Sequence, residues 1–443
     1  MISSLLAGAR RGVQVPLARR LSIAVATTSI AAALVVSVPT TDAAGDTPAG
    51  QRPGARAWFT SWAGSQHDLA PTPLRDQSVR MISHLSQGGD ALRVRIQNTF
   101  GTTPLTVDAA TVALTDGESA AVQGRPRPVT FAGRHEAVVP AGGELWSDAT
   151  TLTTRAQGDV AVSLSVSGTI VPGRHQAAFR TNYLTAPGTG DHTGDTSATA
   201  YTETTQSTYL VTAVDVHNPR LKGSLVAYGS SVVDGVGSTD CGPGCTQLGT
   251  NRRWTDGLAR RIATELPPTR QLAVANAGVN GTTSAADCPK LADHLRGLDA
   301  RARLQRDVLA LHGVTGVLYY YGTNDLPAGC DAQQVLASYR DVFGRLHAAG
   351  IKVYVTPVTP RPSYTDEHNR SRYTINSFVS RRNDCSGACD GIMGFDQVLK
   401  DPLKPNAINP PYDTGDGVHA NIAGQQGLAD TLSLPMLASS AHR

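Results

Sequence analysis

The sequence predicts two architectures in succession: an all-β sandwich of jelly-roll type over residues 57–217, then an α/β domain over residues 218–443. The first part consists of short runs in which apolar and polar residues alternate between turn residues. The second part alternates apolar runs with stretches of helical period, which is typical of a three-layer α/β sandwich with a mainly parallel sheet. A length of 443 residues suits two domains after removal of an N-terminal segment.

The strands of the first part are predicted by alternation with a period of two residues. Residues 92–96 (LRVRI) alternate apolar and charged side chains, and residues 160–166 (VAVSLSV) alternate apolar and small residues. Segments rich in glycine and proline, at 140–143 (PAGG) and 186–190 (APGTG), indicate turns between strands. Each strand could therefore bury one face in a sandwich of about 160 residues.

Beyond residue 217 the pattern changes to buried strands and amphipathic helices. Apolar runs at 225–228, 272–275, 317–321 and 353–355 predict parallel strands. Apolar residues recur with helical spacing between Trp254 and Leu266, and again from Val335 to Leu346 behind Asp331, which we expect to be an N-cap. The three tyrosines at 319–321 follow the strand pattern, so we expect them in the core.

The N-terminal residues have the layout of a secretory signal peptide. Four arginines precede an apolar stretch at 21–38, and small residues follow at 42–44. We therefore predict a cleaved signal over residues 1–44, a Gly/Pro-rich linker over 45–56 and a secreted protein without stable membrane insertion. The pair Arg19 and Arg20 allows a twin-arginine route, but the Sec route is favoured. The alternative is an uncleaved anchor, because the stretch is close to the roughly 20 residues that span a bilayer.

Composition and cysteine usage narrow the function classes. The formal charge of +3 is small and unclustered, which argues against nucleic-acid binding. Six cysteines, all in the second half, fit the disulfides of an exported protein. The closely spaced pairs and the two remaining residues suggest the following partition: Cys241 with Cys245, Cys385 with Cys389, and Cys288 with Cys330. Neither close pair has the spacing usual for structural zinc.

Four short motifs follow predicted strands, where open parallel sheets place their chemistry. They are residues 229–235 (GSSVVDG), 276–281 (NAGVNG), 322–325 (GTND) and 416–419 (DGVH). Ser231 is a candidate nucleophile at a strand-to-helix turn, and a serine hydroxyl needs a base to take its proton. His419 is the candidate base, and Asp416, three residues earlier, could orient its imidazole.

Acyl transfer also needs hydrogen-bond donors for the oxygen that becomes negative. The candidates are the side-chain amide of Asn324, the backbone N–H of Gly281 and the backbone N–H of Ser231 itself. Taken singly, each motif also fits an ordinary turn rich in glycine, serine or asparagine. Their joint occurrence in this order favours a serine hydrolase.

The four motifs resemble the blocks of the SGNH hydrolases, also called the GDSL esterase and lipase family. The resemblance covers about residues 223–435 and implies an SGNH/flavodoxin-like fold with Ser231 as nucleophile, Gly281 and Asn324 as oxyanion donors, and Asp416 with His419 as acid and base. Ser230 stands where the family usually has aspartate, and Ala420 where it usually has proline. Ser230 is the alternative nucleophile, although the register with Asp234 favours Ser231. The β-rich part resembles that of secreted bacterial members.

The resemblance implies an ester hydrolase that needs no cofactor and no metal. Its expected substrate is a small-molecule, lipid or acylated glycan ester, and we expect a monomer. Acyl transfer to an alcohol, carbohydrate O-deacetylation and a catalytically degenerate binding protein remain open alternatives. The sequence does not identify the acyl chain, the alcohol or the role of the β-rich part.

Overall fold

The computed structural model describes residues 57–440, which lie within one compact unit. The expected signal segment 1–44 and linker 45–56 lie outside the described residues. Within residues 57–440, no helix is both long enough and apolar enough to cross a membrane.

The first part of the described chain is built from antiparallel strands. These are β1 (Trp58–Ala63), β2 (Asp68–Leu69), β3 (Leu74–His84), β4 (Ala91–Gln97), β5 (Leu105–Val107), β6 (Ala109–Thr115), β7 (Val122–Pro128), β8 (Ala137–Val139), β9 (Glu144–Trp146), β10 (Thr150–Thr151), β11 (Asp159–Ile170), β12 (Gly173–His175), β13 (Asn182–Leu184), β14 (Glu203–Thr205), β15 (Thr208–Tyr209) and β16 (Val211–His217). One sheet has the order β1-β16-β4-β10, with β9 also paired to β4. The other has the order β14-β13-β3-β11-β6-β7.

The two sheets share one apolar core, as the alternating pattern predicts. Alternate residues of β11, such as Val162 and Leu164, are fully buried in this core together with Val94 and Ile96 of β4. Successive side chains on a strand point to opposite faces, so each strand contributes every second residue to the core. The predicted all-β sandwich is therefore confirmed.

The second part contains a five-stranded sheet with helices on both faces. Its strands are β17 (Ser224–Gly229), β18 (Ala273–Gly278), β19 (Val314–Tyr320), β20 (Lys352–Val355) and β21 (Gly391–Ile392). Its α-helices are α1 (Ser231–Asp234), α2 (Trp254–Glu265), α3 (Ala300–Leu304), α4 (Ala332–Ala348), α5 (Asp366–Ser380), α6 (Phe395–Leu399), α7 (Ile422–Thr431) and α8 (Leu434–Ala438). The sheet order is β18-β17-β19-β20-β21, and every pairing is parallel. The predicted division after residue 217 falls between β16 and β17.

Each face of the parallel sheet packs against its own helices, which makes three layers. Tyr319 and Tyr321 join the core formed with α3, α4 and α5, whereas Tyr320 joins the core formed with α2, α6, α7 and α8. All three tyrosines are buried, as expected. Helix α4 begins behind Asp331, whose carboxylate accepts the N–H groups of Gln333 and Gln334, so the predicted N-cap is also observed.

The two parts meet along the edge strand β18, where side chains hydrogen-bond across the junction. Gln87 Nε2 donates to the Leu272 carbonyl at 3.3 Å, and the Val274 N–H donates to Ser86 Oγ at 2.9 Å. Alternation in β4 predicts one buried face, yet Arg95 on the other face is only 1% exposed. Its guanidinium donates to the Arg306 carbonyl at 2.9 Å, because the α/β part covers that face of the sandwich.

The six cysteines form the three pairs expected from the sequence: Cys241–Cys245, Cys288–Cys330 and Cys385–Cys389. The two short pairs each close a small loop, whereas Cys288–Cys330 joins the segments that follow β18 and β19. The Cys288–Cys330 disulfide therefore stabilises the loops at the carboxyl ends of the strands, where the sequence motifs meet.

Candidate active site

Ser231 lies at a tight turn between β17 and α1. The strand ends at Gly229, Ser230 is the N-cap and the helix begins at Ser231. A Cβ on Gly229 would lie 2.4 Å from the Tyr320 carbonyl oxygen, so the turn requires glycine at this position. Ser231 is only 4% exposed, and its hydroxyl faces the loop that carries His419.

The loop at residues 416–419 brings Asp416 and His419 to this serine. Asp416 Oδ1 accepts the N–H groups of Val418 at 2.7 Å and His419 at 2.8 Å. These bonds leave Oδ2 directed at His419 Nδ1, at 2.5 Å, while His419 Nε2 lies 2.9 Å from Ser231 Oγ. The spacing of three residues therefore lets one carboxylate fix both the loop backbone and the imidazole.

This arrangement determines where the protons lie. The ionised carboxylate of Asp416 only accepts hydrogen bonds, so Nδ1 of His419 carries a hydrogen and Nε2 is free to accept one from Ser231. Burial alone would raise the pKa of Asp416, but hydrogen bonds from the His419 ring and from the loop N–H groups lower it to about 2. Asp416 is therefore ionised at neutral pH, and its carboxylate holds the His419 ring with Nε2 facing Ser231 Oγ.

The predicted oxyanion donors lie in loops at the same edge of the sheet. Among the described residues, no group accepts the backbone N–H of Ser231 or of Gly281. Gly281 has φ of 80°, and an added Cβ would lie 3.0 Å from Leu295 Cδ1, so a side chain is disfavoured there. Asn324 Nδ2 donates to the Thr282 carbonyl at 3.1 Å, which leaves its second hydrogen available.

Asp325 organises these loops, although sequence reasoning assigned it no role. Its buried carboxylate accepts the N–H groups of Ser284 at 3.1 Å, Ala285 at 2.8 Å and Gly322 at 3.2 Å. Burial raises its pKa to about 6 despite these bonds. The sequence signal for Asp325 is its place in the GTND motif, directly after Asn324. The motif does not show which groups the Asp325 carboxylate binds.

Two further residues support the turn that carries Ser231, and sequence reasoning missed the role of both. Asp234, the last residue of α1, is 2% exposed, and its Oδ1 lies 3.0 Å from Nε2 of His175. Sequence reasoning used Asp234 only to set the register of the first motif. No local pattern marks His175, which reaches the site from the antiparallel part of the molecule.

Comparison with known proteins gives one family and a set of solved structures. Residues 227–426 match the GDSL-like Lipase/Acylhydrolase family. Similar structures include a GDSL-like lipase from Bacteroides thetaiotaomicron VPI-5482 (16% identity, covering 49% of this chain and 89% of that one, TM-score 0.35) and the psychrotrophic esterase EstA from Pseudoalteromonas sp. (16%, 47% and 93%, 0.34). A third is an acetyl xylan esterase (17%, 47% and 96%, 0.33). No curated protein matches the chain significantly.

The matched segment begins within β17 and ends within α7. It therefore contains every residue that the sequence singled out as nucleophile, oxyanion donor, acid or base. Those residues are Ser231, Gly281, Asn324, Asp416 and His419.

Proposed function

We propose that this chain is an exported serine esterase, because residues 227–426 match the GDSL-like Lipase/Acylhydrolase family that its motifs resemble. The observation that carries the proposal is the hydrogen-bonded series Asp416–His419–Ser231, with distances of 2.5 and 2.9 Å. Substrates are carboxylic esters with a small-molecule, lipid or glycan alcohol.

The first half of the reaction forms an acyl-enzyme. His419 Nε2 takes the proton of Ser231 Oγ as that oxygen attacks the ester carbonyl carbon. The carbonyl oxygen becomes negative and accepts hydrogen bonds from the N–H groups of Ser231 and Gly281 and from the Asn324 amide. The tetrahedral intermediate then expels the alcohol, which receives the proton held by His419.

The second half regenerates the enzyme. Water replaces the alcohol, gives a proton to His419 Nε2 and attacks the acyl carbon. The bond to Ser231 Oγ breaks, the carboxylic acid leaves, and His419 returns the proton to the serine. Asp416 remains ionised throughout and stabilises the imidazolium that forms in both halves.

Export is part of the proposal. All six cysteines are paired in disulfides, which persist mainly in oxidising compartments. The apolar stretch at 21–38 behind an arginine-rich segment is the feature from which we propose a cleaved signal.

The test is labelling of the exported chain with a fluorophosphonate, with peptide mapping of the adduct and ester hydrolysis followed on the same sample. Ser231→Ala should abolish the label and lower kcat by about 10⁴-fold or more. Ser230→Ala is the matched control, because it changes the neighbouring hydroxyl, and it should keep both label and turnover. Asn324→Ala should lower kcat by about 10²- to 10³-fold, as loss of one oxyanion donor does.

Two results would contradict the proposal. A label on Ser230, or full activity of Ser231→Ala, would transfer the role of nucleophile to another residue. A wild-type protein that is folded, with intact disulfides, but neither labels nor hydrolyses esters would make the domain a binding module.

A further inference from the structure

The carboxylate of Asp234 connects the two loops that carry the nucleophile and an oxyanion donor. Asp234 closes the short helix that begins at Ser231. Its Oδ2 accepts the backbone N–H of Asn280 at 3.1 Å, and Asn280 directly precedes Gly281. The position of this one carboxylate therefore sets the distance between the Ser231 turn and the Gly281 N–H.

The other oxygen of Asp234 is held by His175, which comes from β12 of the antiparallel part. His175 is 6% exposed, and its Nδ1 lies 2.9 Å from the Ser65 carbonyl oxygen. A carbonyl only accepts, so Nδ1 carries a hydrogen, while Nε2 directs a second hydrogen at Asp234. Burial alone would lower the pKa of His175, but the charge and hydrogen bond of Asp234 raise it above its ordinary value.

Arg253, the N-cap of α2, joins the end of α1 to the segment that follows His175. Arg253 Nε donates to the Asp234 carbonyl at 2.7 Å, and its NH2 group donates to the Ala178 carbonyl at 2.9 Å. The guanidinium also lies over the ring of Phe179, 5.0 Å from its centroid. Residues 175–179 thus contact the side chain of Asp234 directly through His175, and its backbone indirectly through Arg253.

The nucleophile turn lacks the local support that a capping side chain would give. Ser230 is its N-cap, and its side chain makes no capping hydrogen bond. The hydrogen bond of His175 with Asp234 is the contact through which the sandwich reaches the side chain of a residue in this turn.

We propose that His175 is a positioning residue of the active site, so that residues 57–217 form part of the catalytic machinery. By donating to Asp234, His175 holds the Ser231 turn in register with the Gly281 N–H. A displacement of about 1 Å in such a site lowers the rate by about 10²-fold, because the attacking oxygen and the oxyanion donors no longer meet the same carbonyl group. This inference rests on the proposed esterase function.

The experiment compares His175→Phe, His175→Gln and the matched control His312→Phe in the full exported chain. His175→Phe keeps the ring volume but removes both donors, and kcat should fall about 10- to 100-fold with KM within about threefold of wild type. His175→Gln keeps one N–H donor toward Asp234, so most of kcat should return.

The control removes another histidine–aspartate pair between the same two parts. His312 Nδ1 lies 2.7 Å from Asp215 Oδ2. His312 precedes β19 and therefore lies at the amino ends of the parallel strands, whereas Ser231 lies at their carboxyl ends. His312→Phe should therefore lower the melting temperature without changing kcat. Asp234→Ala and His175→Phe remove the same hydrogen bond. Their effects on kcat should therefore be non-additive in the double variant.

Each result decides the proposal. A folded His175→Phe variant with wild-type kcat, a His175→Gln variant that loses as much as His175→Phe, or additive losses in the double variant would overturn it. If His175→Phe does not fold, His175→Gln and Asp234→Ala carry the comparison. Failure of wild type itself to label or to hydrolyse esters would refute the esterase proposal and is thereby distinguished from failure of the positioning role.

Discussion

Arg303 offers a test of how the sheet beneath the Ser231 turn is stabilised. It is 1% exposed, and each of its five N–H hydrogens has an acceptor. The acceptors are the carbonyl oxygens of Leu298 (3.0 Å), Ala277 (3.2 Å) and Gly229 (3.3 Å), the Tyr321 hydroxyl (2.5 Å) and the Asp307 carboxylate (2.6 Å). Replacement by methionine removes every one of these donors while keeping much of the side-chain volume.

The loss of stability in Arg303→Met can be worked out from the groups that lose a hydrogen-bond partner. Asp307 is 1% exposed; burial would raise its pKa, but the charges of Arg306 and Arg303 lower it to about 2, so it is ionised at neutral pH. Breaking a buried ion pair on one side costs about 3–5 kcal/mol, because a charge is left without compensation. Arg306 Nε still lies 2.7 Å from Asp307 and limits the loss, whereas the unpaired carbonyl groups add to it. We therefore expect Arg303→Met to lower the free energy of unfolding by about 3–5 kcal/mol, a large part of the usual total of about 5–15 kcal/mol.

The assay is urea unfolding followed by tryptophan fluorescence, for which the fully buried Trp254 is a reporter. With a slope near 3 kcal/mol per molar urea, the midpoint should fall by about 1 M or more. Arg301→Met is the matched control two residues away: its Nε lies 3.5 Å from Asp341 Oδ2, and both side chains are about half exposed. That pair should contribute less than about 1 kcal/mol. A loss below about 1 kcal/mol for Arg303→Met, or equal losses for the two variants, would refute the argument.

Two further predictions concern the disulfides and Asp416. Replacing Cys288 and Cys330 by alanine should cost about 4 kcal/mol of stability, whereas replacing Cys385 and Cys389 should cost about 2 kcal/mol. The first disulfide closes a loop of 42 residues and the second a loop of 4, so the first constrains the unfolded chain more. Equal losses in melting experiments would contradict this. Asp416→Asn should lower kcat by about 10²- to 10⁴-fold. With its pKa lowered to about 2, the carboxylate stabilises the fold above about pH 4 and loses this effect as pH falls through 2, so the stability difference from Asp416→Asn should be constant from about pH 5 to 8. A difference that disappears by pH 5 would be inconsistent with that pKa.

The sequence predicts those parts of the fold that depend on local pattern. Alternation in residues 160–166 predicts a strand with one face in the sandwich core, and the N-cap Asp331 predicts where α4 begins. Buried parallel strands are apolar on both faces, which is why the run at 317–321 was recognisable although its tyrosines divide between two cores. In each case the residues that predict the element lie within about one helical turn or one strand of each other.

Contacts between the two parts of the chain were not predictable in the same way. Arg95 has the sequence context of an exposed strand residue, yet it is buried and donates to the Arg306 carbonyl across the junction. His175 likewise ends the three-residue strand β12, which pairs through two residues with β15 and through two with β2. So short a strand gives no signal of the contact between His175 and Asp234. Both residues depend on how one part docks on the other, and no period or spacing records that arrangement.

The same distinction explains why the candidate site was readable from the sequence while its support was not. The proposed acid and base are three residues apart, so one loop conformation suffices to join them. The Ser231 turn, in contrast, is held from three distant segments. Asn276 Nδ2 donates to the Val233 carbonyl, Arg253 donates to the Asp234 carbonyl, and His175 hydrogen-bonds the Asp234 carboxylate. Because Ser230 makes no capping bond, the turn depends on those segments. Two of these segments belong to the α/β part, and only the one that carries His175 belongs to the antiparallel part. If His175 has the positioning role proposed above, loss of the sandwich should impair catalysis even when the α/β part still folds.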